Sequence, residues 1–322
     1  MFGGQDHANP FQAGTLDDFW AWDGRRWQAL TNGPRPPARA AAGFHADPAT
    51  GKVVLVGGWS TPLCKLCSYY GDTWEWDGND WVQRMPANVP PSRSADYELC
   101  FDENSQRVLM VMSDRTTQSP QRETWSWDGT NWTRLLVETI PSNRRYFAIG
   151  MAYDSVARKP TLIGDGYSPD AMLTMTWDGT RWTTASAPFI AGYGVRSKPA
   201  FDRQRGALVV YAAGELATWE LKANAWTRRE KPDFPLRTAH LAYDPTRKTL
   251  AMVEWDNNHL RLWESTSTAA WKLRHEQRSG VPPQPNGVTQ PLIFDETRQR
   301  LVLFTHEALN IFSHRLIIER MH

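Results

Sequence analysis

Apolar and polar positions form two alternating kinds of strand pattern along this chain. In the first, apolar residues alternate with polar ones up to an Asp-Gly pair, as in TWEWDG at residues 73–78. This alternation predicts a strand with one buried face that ends in a turn. In the second, an aspartate precedes a nearly continuous apolar run, as Asp47 precedes VVLV at residues 53–56. Such a run predicts a strand that is buried on both faces.

The first pattern recurs as a motif of two tryptophans, an Asp-Gly turn and a closing tryptophan. Clear copies occupy residues 20–27, 74–81, 125–132 and 175–182, and degenerate copies follow at 219–226 and 263–271. The closing tryptophans are 54, 51, 50, 44 and 45 residues apart, and 15 of the 17 tryptophans belong to the motif. Each copy predicts a hairpin, and in the four clear copies Asp-Gly supplies the positive φ angles of the turn. We expect the closing tryptophan in the gap between two packed sheets.

The second pattern lies between copies of the first and predicts a hairpin of inner strands. Six aspartates mark its copies: Asp47, Asp102, Asp154, Asp202, Asp244 and Asp295. We expect the side chain of each aspartate to accept hydrogen bonds from turn amides. Two hairpins per repeat give a four-stranded unit of about fifty residues, which is typical of a propeller blade.

The repeat resembles the Kelch repeat. The resemblance rests on a buried strand that ends in Gly57-Gly58, a variable loop, a tryptophan-containing strand and a closing tryptophan, and it covers essentially all 322 residues. It implies an all-β, Kelch-like β-propeller that forms a single domain over residues 1–322, as in the galactose oxidase-like propellers. The diglycine is kept only at residues 3–4 and 57–58.

The same repeats predict six or seven four-stranded blades. Residues 310–320 align with residues 74–84 and are expected to form a last outer hairpin. Residues 1–4 look like the end of a second strand, so the first blade is expected to be incomplete. We expect its first strand to come from upstream residues that this sequence lacks. In the six-bladed alternative, the hairpin of residues 17–30 closes against the strands of residues 295–304.

Charge and hydropathy exclude several classes of partner. The net charge of +1 gives no reason to expect nucleic acid. The chain has no apolar run of about 18 residues, so we expect no membrane insertion. No signal peptide is visible, but an N-terminus that looks truncated leaves the secreted and periplasmic locations open.

The variable-loop face of the propeller is the candidate binding surface, because variable loops on a rigid scaffold tend to carry binding residues. The resemblance implies that arginines at the start of inner strands line the mouth of the central channel. These candidate ligand-binding residues are Arg39, Arg93, Arg145, Arg196 and Arg237. They could hold a carboxylate or another anion. The alternative is that they bond carbonyls at the blade edges or cover a neighbour with their stems.

Cys64 and Cys67 lie in the longest predicted loop. A redox pair usually begins a helix and a zinc site needs two more ligands, so neither function is expected here. A loop disulfide, or two free thiols, remains. A disulfide would imply an oxidising compartment.

These observations predict a non-catalytic, monomeric binding or scaffold module for a protein, peptide or glycan, with no cofactor, metal or catalytic residue. The alternative is a Kelch-type propeller enzyme such as a sugar hydrolase, epimerase or oxidase. A binding module should have a shallow mouth lined by aromatic and arginine side chains. An enzyme should have a pocket that holds close carboxylates or a histidine-containing pair.

Overall fold

The computed structural model consists of antiparallel β-strands joined by turns and loops. The described residues are 2–5, 15–22, 27–29, 33–39, 42–60, 68–92, 97–114, 121–139, 148–165, 171–184, 189–190, 197–212, 217–229, 239–256, 259–265, 268, 270–278, 292–295 and 300–303. Over these ranges, no helix has the length and apolar composition that crossing a membrane requires.

Five sheets within the described ranges each have four strands in sequential order, and we number them as blades I to V. Blade I contains β4 (Gly43–Asp47), β5 (Lys52–Val56), β8 (Thr73–Trp76) and β9 (Trp81–Arg84). A separate loop hairpin between β5 and β8 contains β6 (Trp59–Ser60) and β7 (Ser68–Tyr69). Blade II contains β10 (Tyr97–Asp102), β11 (Arg107–Asp114), β12 (Gln121–Trp127) and β13 (Trp132–Thr139).

The later blades repeat this order. Blade III contains β14 (Ala148–Asp154), β15 (Lys159–Asp165), β16 (Ala171–Trp177) and β17 (Trp182–Thr184), with β18 (Phe189–Ile190) also paired to β16. Blade IV contains β19 (Ala200–Asp202), β20 (Ala207–Ala212), β21 (Ala217–Lys222) and β22 (Ala225–Arg229). Blade V contains β23 (Ala239–Asp244), β24 (Thr249–Asp256), β25 (His259–Ser265) and β26 (Trp271–Arg278).

Two incomplete sheets flank the five blades. The first contains β1 (Phe2–Gln5), β2 (Thr15–Trp22) and β3 (Trp27–Ala29), and the last contains β27 (Leu292–Asp295) and β28 (Arg300–Leu303). Phe2 lies opposite Phe19, as Val56 lies opposite Thr73 in blade I. The strand β1 therefore has the register of the end of a second strand.

The blade count corrects the prediction of six or seven, because the described residues complete only five four-stranded blades. All six predicted inner hairpins are present, and the hairpin at Asp295 pairs that residue with Arg300. A hairpin motif fixes the pairing within itself, whereas a blade also needs its two hairpins to pair. At both ends of the chain only part of that pairing lies in the described residues. The predicted hairpin at residues 310–320 lies outside them.

Both predicted turns are built on an aspartate side chain. Asp77 Oδ1 accepts hydrogen bonds from the amides of Asn79 and Asp80, at 2.8 and 2.9 Å. In this turn Gly78 alone has a positive φ, of 106°, so the aspartate contributes acceptors and the glycine contributes the conformation. In the inner hairpins, the predicted acceptor role is confirmed for Asp47, Asp102, Asp154, Asp202 and Asp244.

The hydrophobic core lies between blades rather than inside them. The tryptophans of blade II pack with Val54 and Val56 of blade I, and those of blade III pack with Leu109 and Val111 of blade II. The same contact joins blade IV to Ile163 of blade III, and blade V to blade IV. A strand that contributes to two neighbouring interfaces must be apolar on both faces, which explains the continuous runs of the second strands. Sheets stacked in this way around an axis form a β-propeller.

Candidate ligand-binding face

The loop between β5 and β8 of blade I contains the short hairpin pairing of β6 with β7. Its strands pair through Trp59 opposite Tyr69, and the amide of Tyr70 donates to the carbonyl of Gly58 at 2.9 Å. The segment before β10 approaches its base, since a Cβ placed on Gly71 would lie 3.2 Å from Ser92 Cβ. The loop that leaves a second strand therefore meets the loop that enters the next first strand.

Arg39 fastens this hairpin to the blade. Its guanidinium forms two hydrogen bonds with the carboxylate of Asp72, at 2.5 and 2.8 Å, and a third with the carbonyl of Gly57 at 2.9 Å. The ring of Tyr70 covers the guanidinium at 4.1 Å. Only 2% of Arg39 is exposed. Because a bidentate carboxylate already occupies its donors, Arg39 acts in this geometry as the clamp of the loop hairpin.

The same carboxylate also orients the outer hairpin of blade I. Trp74 donates its indole N–H to Asp72 at 2.7 Å, and Trp125 donates to Glu123 of blade II at 2.8 Å. Strand register places Glu123 at the position of Asp72, because each comes two residues before the first tryptophan of its outer hairpin. Sequence reasoning missed these acids, since each precedes the tryptophan pair in a strand that otherwise shows no unusual composition.

The remaining candidate residues lie outside the described residues, so their ligand-binding role stays a prediction: Arg93, Arg145, Arg196 and Arg237. The positions equivalent to Asp72 in blades III, IV and V are described, and they hold Leu173, Ala217 and Arg261. An acidic partner at this position therefore occurs in blades I and II and not in blades III to V. In blade IV, the amide of Tyr211 donates a hydrogen bond to Ser197 Oγ at 2.7 Å, which ties the entering segment to the second strand.

Buried glutamates with two cations form a second recurrent polar feature. Glu75 Oε2 accepts from Lys52 Nζ at 2.9 Å and from Arg84 Nε at 2.7 Å. Glu220 pairs with Arg205 and Arg229 in blade IV, and Glu264 pairs with Arg247 and Arg274 in blade V. Each glutamate joins its inner hairpin to its outer hairpin. These charges are saturated within the blade and are therefore structural.

A histidine, a glutamate and a lysine lie in or next to the first strands of blades I, II and IV. Lys198 Nζ, from the segment that enters blade IV, donates to Glu98 Oε2 of blade II at 3.1 Å. This ion pair therefore spans the intervening blade III. Gly150 makes this possible, because a Cβ there would overlap Pro199 and lie 3.3 Å from Lys198 Cα. Desolvation lowers the pKa of His45 below its usual 6.5, and the charge of Lys198 lowers it further. The hydrogen bond to the Ala46 carbonyl raises this pKa, but by less than the other two effects lower it. These effects favour the neutral form of His45.

The cysteines divide between described and undescribed residues. Cys100 is a free, buried thiol whose pKa is raised by desolvation and by Asp102, so it is inert as a nucleophile. The predicted pair Cys64 and Cys67 lies outside the described residues. In the part of the chain that the structure describes, no three His, Cys, Asp or Glu side chains are grouped to hold a metal ion.

The comparisons with known proteins identify the fold. No protein-family model matches this chain, and neither does any curated protein. A periplasmic gluconolactonase of Pseudomonas aeruginosa superposes with a TM-score of 0.57 at 9% identity, over 91% of this chain and 84% of that one. A streptogramin B lyase gives 0.53 at 11% identity, over 91% and 83%. A nidogen–laminin complex gives 0.51 at 15% identity, over 93% and 94%. The matches support a β-propeller, and because enzymes and a binding complex share it, they select no activity.

Proposed function

We propose that this chain is a Kelch-like propeller that acts as a non-catalytic binding module for a protein, peptide or glycan, through its variable-loop face. The observation that carries the proposal is the Arg39–Asp72 clamp, which holds the base of the loop hairpin against blade I. Binding surfaces gain affinity when their loops are held in place before the ligand arrives. The turns built on Asp77, Asp128 and Asp178 differ little between blades, as structural elements do.

The arginines of blades III to V are the proposed contacts for an anionic group of the ligand. Arg39 is neutralised by Asp72, and blade II holds an acid, Glu123, at the position that matches Asp72. Arg145, Arg196 and Arg237 precede blades whose equivalent positions hold no acid. A guanidinium without an internal carboxylate can form the bidentate pair with a carboxylate of a ligand. We therefore assign acidic-ligand binding to this half of the mouth.

A thermal-shift screen against acidic peptides tests the assignment. A ligand that binds the native state raises Tm by mass action, so a peptide that binds should stabilise the wild-type chain. In a triple variant with Arg145→Ser, Arg196→Ser and Arg237→Ser, we expect the shift to disappear while Tm without peptide stays close to that of the wild type.

Arg39→Ser is the matched control. It removes an internal clamp, so it should lower Tm without peptide and leave at least part of the peptide-induced shift. A shift that persists in the triple variant and disappears with Arg39→Ser would overturn the assignment to blades III to V. No shift with any acidic peptide would overturn the anionic ligand itself.

A further inference from the structure

The loop hairpin of blade I displays two aromatic side chains on its outer face. Trp59 and Tyr69 lie directly opposite each other in the β6–β7 pairing, so their side chains project from the same face. Tyr69 is 39% exposed and Trp59 is partly exposed. Large aromatic rings usually lie in cores or at binding surfaces, where a rigid ring gives contact area at low entropic cost.

The outward direction follows from the position of the next residue. Tyr70 turns inward, where its ring covers the Arg39 guanidinium at 4.1 Å. The pairing of β7 continues one residue beyond its end, because the amide of Tyr70 donates to the carbonyl of Gly58. Successive side chains of paired extended chain point to opposite faces, so Tyr69 points away from the clamp, and its partner Trp59 points the same way. The clamp thus holds one aromatic residue against the blade and directs the aromatic pair away from it.

The local charges indicate the kind of ligand that such a pair would bind. In the described part of the hairpin and its base, the charged side chains are Asp72 and Arg39, and these neutralise each other at 2.5 Å. Over these described residues, the surface therefore selects a ligand by shape and apolar contact. Sugar rings meet this requirement, since their C–H faces stack on aromatic rings while their hydroxyl groups remain hydrated.

We propose that Trp59 and Tyr69 form a stacking subsite for a neutral glycan. The inference rests on the proposed binding function and names the ligand class for one part of the variable-loop face. It is independent of the arginines, which lie before other blades and would bind an anion. The two sites also differ in their response to salt, because only the ionic contact is screened.

The first test is a binding array of neutral oligosaccharides built from glucose, galactose, mannose and N-acetylglucosamine. The glycans that bind on the array are then titrated to measure their affinity. We expect Trp59→Ala and Tyr69→Ala each to weaken binding by about thirtyfold or more, the loss typical of an aromatic hot spot. Trp59→Phe should retain most of the affinity. Binding should change little between low and high salt.

Val137→Ala is the matched control, because Val137 is a similarly exposed apolar residue, at 40%, on the outer strand of blade II. It should leave glycan binding unchanged. Glycan binding that survives Trp59→Ala and Tyr69→Ala would overturn the subsite and leave the binding function in place. A silent array with a positive acidic-peptide shift would likewise overturn only the subsite, whereas silence in both assays would overturn the proposed function as well.

Discussion

Glu75 shows how single residues hold a blade together and join it to the next. Its carboxylate is 1% exposed and accepts from Lys52, from Arg84 and from the indole of Trp127 in blade II at 3.0 Å. The two cations are 27% and 32% exposed, so water still reaches them. The carboxylate is therefore the group whose removal matters most, because it leaves the buried indole N–H without an acceptor.

We expect Glu75→Ala to lower the free energy of unfolding by about 3 kcal/mol, as for other broken buried ion pairs. Chemical denaturation of the purified variant measures this difference. Ser126→Ala is the control at the equivalent position of blade II, where a buried hydroxyl has no hydrogen-bond partner among the described residues. It should change stability by less than about 0.5 kcal/mol. Equal losses in the two variants would contradict the role given to Glu75.

Three of the closing tryptophans connect neighbouring blades through one recurring hydrogen bond. Trp132 donates to Thr73, Trp182 to Thr124 and Trp226 to Thr174, each at 2.8 Å and each from one blade to the blade before it. The threonine comes one residue before the first tryptophan position of the motif. The hydroxyl thus satisfies an indole N–H that packing would otherwise bury without a partner.

Thr73→Val tests this bond with little change of shape. Removing the acceptor strands the fully buried N–H of Trp132, so we expect a loss of about 1–3 kcal/mol of unfolding free energy. The control is a double-mutant cycle with Trp132→Phe, in which no indole N–H remains. In that background Thr73→Val should cost almost nothing beyond the first substitution. The same cost in both backgrounds would mean that the hydroxyl acts through something other than Trp132.

The sequence alone predicts the hairpins of the blades, but not the clamp, the loop hairpin or the number of blades. Hairpins were predictable because the alternation before Asp-Gly and the apolar run after Asp47 are local patterns. The clamp was not, since Arg39 and Asp72 are 33 residues apart and meet only when the inner and outer hairpins pair. The loop hairpin was not predictable either, because two residues per strand are too few to form a pattern. The prediction of six or seven blades was wrong, because the described residues at the two ends of the chain do not pair an inner with an outer hairpin into a full blade.

Each of blades II to IV packs its apolar side chains against the blade before it and the blade after it, so the hydrophobic contacts of the propeller are mostly between nearest neighbours. In blade IV, Leu208 packs with Ile163 of blade III, and the next residue, Val209, packs with Leu250 and Met252 of blade V. Both residues are fully buried. Adjacent positions on one strand thus stabilise opposite neighbours, as expected for stacked repeats.

Hydrogen exchange can separate the two interfaces. Leu208→Ala and Val209→Ala each create a cavity, at a cost of about 2–5 kcal/mol for the leucine and somewhat less for the valine. We expect Leu208→Ala to speed amide exchange in β15 of blade III, and Val209→Ala to speed it in β24 of blade V. Exchange in β20 itself should rise in both variants, which serves as the internal control. If both variants showed one common exchange pattern across blades III to V, the blades would open as one cooperative unit, and the nearest-neighbour description would be wrong.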